Sequence, residues 1–354
     1  MARLIVWRLA RTLVAVWALA SLVFLLSYRD RNTATELALP DAADLRSRHN
    51  ATNPAGQLAT RQAIQHRLGL DRPLFYVSRL AASPPSGVQW HWNGRHNQYH
   101  RWAVQLLHGN MGTSFRTGQP VAARLREALA MTLPLTGTAA LLAVLAALAL
   151  AVRLAAAPWW QRPVRAALVA VHAMPLFVLA LALLFVFANP EVLAWFPAYG
   201  LDQDTELSSG QWLATYLLHL VLPGATLALA ALPELALQLE ASLVQELHAG
   251  YVATARAKGL PENAIIRRHA LRNALLPSLS QLAELLPALV AGALVVEVVF
   301  ALPGMGRLLA EAAAARDYPV LVGGVLLVGV ARLLALLLAD LLYLWTDPRI
   351  RWQS

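Results

Sequence analysis

The chain has 354 residues, 58% of them hydrophobic and only 14% charged, with a mean hydropathy of +0.51, a net charge of +9 and no cysteine. Soluble domains carry about 45–50% apolar and about 25% charged residues, so both shifts point to lipid as the solvent. Intrinsic disorder, a disulfide framework and cysteine-ligated metal are excluded, and the positive charge reads as loop and headgroup contact rather than nucleic-acid binding.

A membrane-crossing helix needs about 20 apolar residues to cover roughly 30 Å of hydrocarbon. Four uncharged runs fall at or near that length: Thr12 to Tyr28, Ala128 to Val152, Ala166 to Pro190 and Leu207 to Pro233. Two further apolar stretches, Ser278 to Phe300 and Val320 to Trp345, are each interrupted by two charged residues. The expected fold is an all-α integral membrane protein of six transmembrane helices, divided into 1–28, an external region 29–127, and a transmembrane domain 128–354 holding a cytoplasmic loop at 240–277. The first run is longer than a signal-peptide core and lacks a small-x-small site, so it is expected to remain as an anchor.

Orientation follows from the short loops. Arg153 to Arg165 holds Arg153, Arg162 and Arg165 and no acid, whereas Glu191 to Glu206 holds four acids and no base. The first loop is therefore assigned to the cytoplasm and both termini with it. In the external region, Ile64 to Leu80 is expected as a helix, Ala82 to Gly94 as a loop, and Trp102 to Leu107 as a helix stopped by Gly109.

The most informative stretch is Gly250 to Pro277, GYVATARAKGLPENAIIRRHALRNALLP. Tyr251 to Lys258 suits a helix, Gly259 a left-handed terminator, and Pro261 with Glu262 the first turn of a second helix. Arg267, Arg268 and Arg272 would complement that helix's negative end. Small residues line the turn and permit close approach by another protein; a basic loop that only fixes topology is the competing reading. Lys258 is the single lysine among 29 basic residues.

This stretch resembles the EAA-type cytoplasmic loop of ATP-binding-cassette importer permeases, in the form used by the dipeptide, oligopeptide and nickel group. Tyr251, Val252, Thr254, Ala255, Arg256, Ala257, Lys258, Gly259, Leu260, Arg268, His269, Arg272, Asn273 and Pro277 all fit. LGLDRPLF, GNMGTSF, MPLFVLALAL, FPAYG, VVEVVFALPGMGRLL, RDYPV and DLLYLWTDPRIR agree with the family in the same order. The resemblance implies a multi-pass subunit of the bacterial inner membrane. It would pair with a second homologous permease and two cytoplasmic ATPase subunits, and receive peptides from a periplasmic solute-binding protein. Nickel or nickel-chelate import is the alternative within the family. The chain itself would bind no cofactor and catalyse no reaction: no GxxxxGKS/T loop is present, so ATP and Mg belong to the partners. By the same analogy, the loop from Tyr251 is the ATPase-coupling element.

Three departures stand out. Tyr28-Arg29-Asp30-Arg31 replaces a PGDP-like motif, Leu237-x-x-Glu240-x-Ser242 replaces Arg-x-x-Arg-x-Ser, and Gly250 replaces an acid. Among ionisable residues at membrane depth (Glu234, Glu284, Glu297, Arg332 and Asp340), Glu297 is the pathway candidate, with a structural bond to a neighbouring helix as its rival reading. His91, His96 and His100 raise a metal site, against which exposed loop histidines are weighed. An intramembrane enzyme lacks both HExxH and GxSxG.

Overall fold

The computed structural model describes residues 2–27, 62–63, 66, 71–81, 88–156, 158–197 and 209–346. In chain order these form α1 (Ala2–Ser27), β1 (Val77–Ala81), β2 (Val88–Trp92), α2 (Gln98–Leu107), α3 (Val121–Ala156), α4 (Pro158–Ala173) and α5 (Leu176–Phe187). They continue with α6 (Ser209–Leu247), α7 (Gly250–Ala257), α8 (Glu262–Ala264), a π-helical turn (Ile265–Ala270), α9 (Leu271–Val299), α10 (Met305–Ala314) and α11 (Tyr318–Thr346).

Among the described residues, four helices are long and apolar enough to cross a membrane, with windows at Leu9–Leu26, Val121–Ala155, Ala214–Leu247 and Tyr318–Ala335. The third expected span is not straight. Gln161–Ala173 and Leu176–Phe187 meet at 109°, because Pro175 caps the second segment in an extended conformation and supplies no amide to the first. The fifth runs unbroken from Leu271 through positions 277 and 287, with Ala288–Val299 as its apolar end. Pro277 and Pro287 therefore lie inside the helix.

Backbone contacts divide the chain into two compact units. One comprises 1–10, 128–307 and 331–354, the other 11–127 and 308–330.

The core of the first unit is built on small residues. Ala139, Ala143, Ala147 and Ala151 recur every fourth position on α3, each at most 2% exposed. Such a stripe lets helices approach closely without a large hydrophobic driving force between them. Leu222, Leu227 and Leu235 of α6 and Leu289, Ala293 and Val296 of α9 join Ala139, Ala143 and Ala147 in one cluster. One polar exception to this apolar packing is Glu240, 2% exposed, which receives Nε and Nη2 of Arg165 at 2.6–3.1 Å. Thus Glu240, where the resembled family has arginine, is matched by a basic residue on α4. Removing Arg165 leaves a buried carboxylate uncompensated. Arg165→Met is expected to destabilise at the lower end of about 3–5 kcal/mol, read as a melting shift, and Glu240→Leu in the same chain to recover most of it.

In the second unit, α2 packs its aromatic face on α1. Phe24 stacks on Trp102 at 4.8 Å, and the Tyr99 hydroxyl accepts from Trp17 Nε1 at 3.2 Å and meets Ser21 Oγ at 2.8 Å. β1 and β2 pair antiparallel from Val77↔Trp92 to Ala81↔Val88. This corrects two expectations, since 77–81 is strand rather than helix and 88–92 strand rather than loop. Cross-strand pairing of valine and aromatic residues outweighs the loose helical spacing read there. The helix that stops before Gly109 is present, with Gly109 at φ +77°. Asp317, 1% exposed, accepts from Ser114 Oγ and from the Phe115 amide at 3.0 Å, with Arg124 Nη1 at 3.7 Å. Two segments singled out in the sequence, GNMGTSF and RDYPV, are thereby tied at one buried carboxylate.

Candidate functional site

The connection between α6 and α9 is a helix, a tight turn and a helix. Val252 and Ala255, three apart on α7, are buried against Ile265 and Leu247. Two of the sequence-selected loop residues, Val252 and Ala255, therefore anchor α7 and are unavailable to a partner. Helix α7 ends in a Schellman arrangement. The Gly259 amide donates to Arg256 O at 2.9 Å and the Leu260 amide to Ala255 O at 3.3 Å, with Gly259 at φ +76°. A Cβ at Gly259 meets nothing within 4 Å, so the site faces open space.

The second helix begins at Pro261 and passes within one turn into the π segment, where the Leu271 amide bonds to Ile266 O. Ile265, Ile266 and Ala270 point inward while Arg267, Arg268 and His269 are all exposed. The extra residue of a π turn permits three successive side chains on one side. Ile266, Ala270 and Ala274 pack on Leu239, Leu243 and Ala151, which fixes this second helix to the core.

What remains on the outside is Ala253, Thr254, Arg256, Ala257, Lys258 and Leu260, with Arg268, His269 and Arg272 beyond the turn. Arg256 reaches Glu262 at 2.5 Å, and both are about half exposed. The bond and charge of Arg256 hold the Glu262 carboxyl below its ordinary range, and those of Glu262 raise the guanidinium. Being depressed in the folded chain, Glu262 contributes stability above the unfolded carboxyl range and loses it as pH falls. The exposed setting keeps that contribution small. Among the described residues, no other base of this loop lies within 4.0 Å of a carboxylate, so the outer face stays basic. Tyr251 donates to Glu246 Oε2 at 2.6 Å; burial first, then Glu246, pushes the phenol up, with Asn273 opposing. Tyr251→Phe is expected to loosen α7 from α6, which faster amide exchange at Val252 and Ala253 by mass spectrometry reports.

Glu297 lies elsewhere, about 36 Å farther along α9 than Asn273. It is fully buried and accepts from Thr132 Oγ1 at 2.6 Å, the Gly306 amide at 2.7 Å and the Arg307 amide at 3.2 Å. Thr132 Oγ1 in turn accepts from the Met305 amide at 2.8 Å. Together the two side chains satisfy the first amides of α10, the anion-favouring end of a helix. A Cβ at Gly304 would overlap the Glu297 carboxylate, and one at Gly306 would overlap Leu294. Thr132, Gly304 and Gly306 were not singled out by sequence reasoning, although the two glycines flank Met305 within a quoted segment. Thr132→Val is expected to cost about 1–3 kcal/mol by orphaning the Met305 amide, measured as a lowered melting temperature.

Of the remaining expectations, Glu234 and Arg332 are exposed, and the side chains of Glu284 and Asp340 lie outside the described residues. His91 is on β2, His96 precedes α2, and His100 Nδ1 is bonded to Tyr76 OH at 2.9 Å. His96 thus lies outside the helix that carries His100, and the two do not share a helix face. No group of three candidate ligands occurs among the described residues.

The family described as binding-protein-dependent transport system inner membrane component matches residues 139–352. The probable D,D-dipeptide transport system permease protein DdpB of Escherichia coli is 35% identical over 305 residues, covering 81% of this chain and 83% of that protein. The dipeptide transport system permease protein DppB of Alkalihalophilus pseudofirmus is 32% identical, covering 85% and 90%. The glutathione transport system permease protein GsiC of Salmonella paratyphi A is 33% identical, covering 82% and 84%.

Proposed function

The chain belongs to the binding-protein-dependent transport system inner membrane components, and from that premise we propose that it is a membrane subunit importing di- or oligopeptides through an ATP-binding-cassette complex. The substrate class rests on its relatives, which are named for D,D-dipeptide, dipeptide and glutathione transport. Six spans with both termini in the cytoplasm fit the loop charges, with the bent α4–α5 pair as the third and α9 as the fifth. Residues 29–127 then face outward, and the α6–α9 connection faces the cytoplasm.

The observation that carries the mechanism is the exposed basic face of α7, held from behind by Val252 and Ala255. This short helix seats in a groove of an ATPase subunit, where Arg256, Lys258, Arg268 and Arg272 meet acidic groups. Each of two permease subunits takes one ATPase, which holds ATP and Mg. Nucleotide-driven closure of the ATPases is transmitted through α7 to α6 and α9, opening the pathway alternately to either side. A solute-binding protein delivers the substrate outside. In this scheme Glu297 is a positioning residue that clamps the outer α9–α11 connection, and its buried, fully engaged carboxylate fits that role better than substrate contact.

The reading is tested by purifying the cognate binding protein and identifying its ligand by mass spectrometry. A peptide supports peptide import. A nickel ion or nickel chelate would transfer the assignment to the nickel branch while leaving the coupling scheme intact.

A further inference from the structure

Within the first unit, α5, α6 and α9 line a partly open cavity of about 260 Å³. Its α6 wall runs from Leu227 to Glu234 and Leu235, and its α9 wall from Gln281 through Leu285 to Gly292. Spacings of three and four along both helices make each wall a single stripe. The two stripes run in opposite directions: a Cβ at Gly292 would lie 3.5 Å from Leu227 and 3.2 Å from Leu176. The far ends of the stripes, Glu234 on α6 and Gln281 on α9, therefore fall at the same end of the cavity. The other end is closed by leucine and glycine.

Both polar groups at that end offer hydrogen-bond acceptors, Glu234 from an exposed position and Gln281 from a buried one. Gln281 Oε1 is buried and has no partner. Among the described residues, no hydrogen bond or ion pair engages Glu234, although α6 carries it inside a long apolar span. A carboxylate and an amide oxygen at one end suit an ammonium group and disfavour an anion. The leucine-lined end accommodates an apolar side chain.

We propose that this cavity is a transit site for the amino-terminal residue of a peptide, its ammonium at Glu234 and Gln281 and its apolar side chain toward Leu227 and Leu176. The proposal rests on the peptide-import reading and assigns residues to it. A neutral residue at 234 forfeits a charge-assisted bond, whereas a carboxylate moved to 281 faces the same end and restores it.

The test uses the complete transporter, with its binding protein at saturating concentration, in proteoliposomes energised with ATP and supplied with leucyl-alanine. Glu234→Gln is expected to lower maximal uptake roughly tenfold, with the binding-protein affinity for leucyl-alanine unchanged. Gln281→Glu added to that variant is expected to recover at least a third of the lost rate. Glu234→Asp, which keeps the charge, is expected to retain most of it. Uptake unaffected by Glu234→Gln overturns the inference, and so does a loss that neither Glu234→Asp nor the relocated carboxylate repairs, since that is the behaviour of a packing or subunit-interface residue. Failure of the unaltered complex to take up leucyl-alanine, with a binding protein that carries no peptide, overturns the import reading and the inference together.

Discussion

Gly259→Asp is expected to reduce ATP-driven uptake to background while membrane insertion and the content of folded protein stay near those of the unaltered chain. Gly259 holds φ +76° at the end of α7, where a Cβ-bearing residue pays about 1–2 kcal/mol, least for aspartate and asparagine. Nothing lies within 4 Å of the new Cβ, so the isolated subunit absorbs that strain. The partner does not. In the proposed docking, a carboxylate beside the negative end of α7 and pressed against acidic groups would be desolvated without a counter-charge, a penalty of several kcal/mol and hence a fall of a thousandfold or more in docking. Gly259→Ala separates the two contributions, because it has comparable backbone strain without charge or bulk. It is expected to keep a substantial fraction of uptake. Co-purification of the ATPase with each variant measures the docking loss directly, and normal uptake by Gly259→Asp would remove α7 from the coupling role.

The second large effect is expected at the outer end of α9. Glu297→Ala leaves the Gly306 and Arg307 amides and the Thr132 hydroxyl without their acceptor in a buried site. At about 1–3 kcal/mol for each orphaned group, the summed loss is about 3–5 kcal/mol after relaxation. Gly304→Ala should come close to it by a different route, since its Cβ would displace the same carboxylate. The two losses share one cause. The double variant is therefore expected to be no less stable than Glu297→Ala alone, a non-additivity read from melting temperatures in detergent. Additive losses would show that Gly304 acts independently of Glu297. Glu297→Gln is intermediate, for its amide nitrogen meets backbone donors where an acceptor is required.

The spans were legible wherever apolar composition alone decides the outcome. The Ala128 to Val152 run lies inside α3, and the Gly259 turn follows local rules of helix termination. Uncharged length carries no direction, however, so the run from Ala166 to Pro190 concealed a 109° bend although Pro175 was in view. The β1–β2 pairing was missed because its energy is in cross-strand neighbours rather than in either strand. The carboxylate clasps were beyond reach for a related reason. Thr132 and Glu297 are 165 residues apart, Ser114 and Asp317 203. One-dimensional spacing cannot join such groups. Glu240 was noticed only as a departure from an expected arginine, and its meaning came with Arg165 on α4.

Helix α6 has 39 residues, about 58 Å of rise against roughly 30 Å of hydrocarbon. Its overhang carries Glu240, Leu243 and Leu247 and ends at the start of α7. Measured from Pro233, the natural weak point of the rod, this arm is about 21 Å long. A pivot of about 10° there sweeps its tip through roughly 4 Å, comparable to most of a helical turn. Mechanical advantage would thus lie in the length of one helix: under the proposed coupling, a shift of a few ångströms imposed at the tip would become a small rotation beside Glu234, and the reverse stroke would amplify any adjustment around the cavity into a larger displacement at the tip.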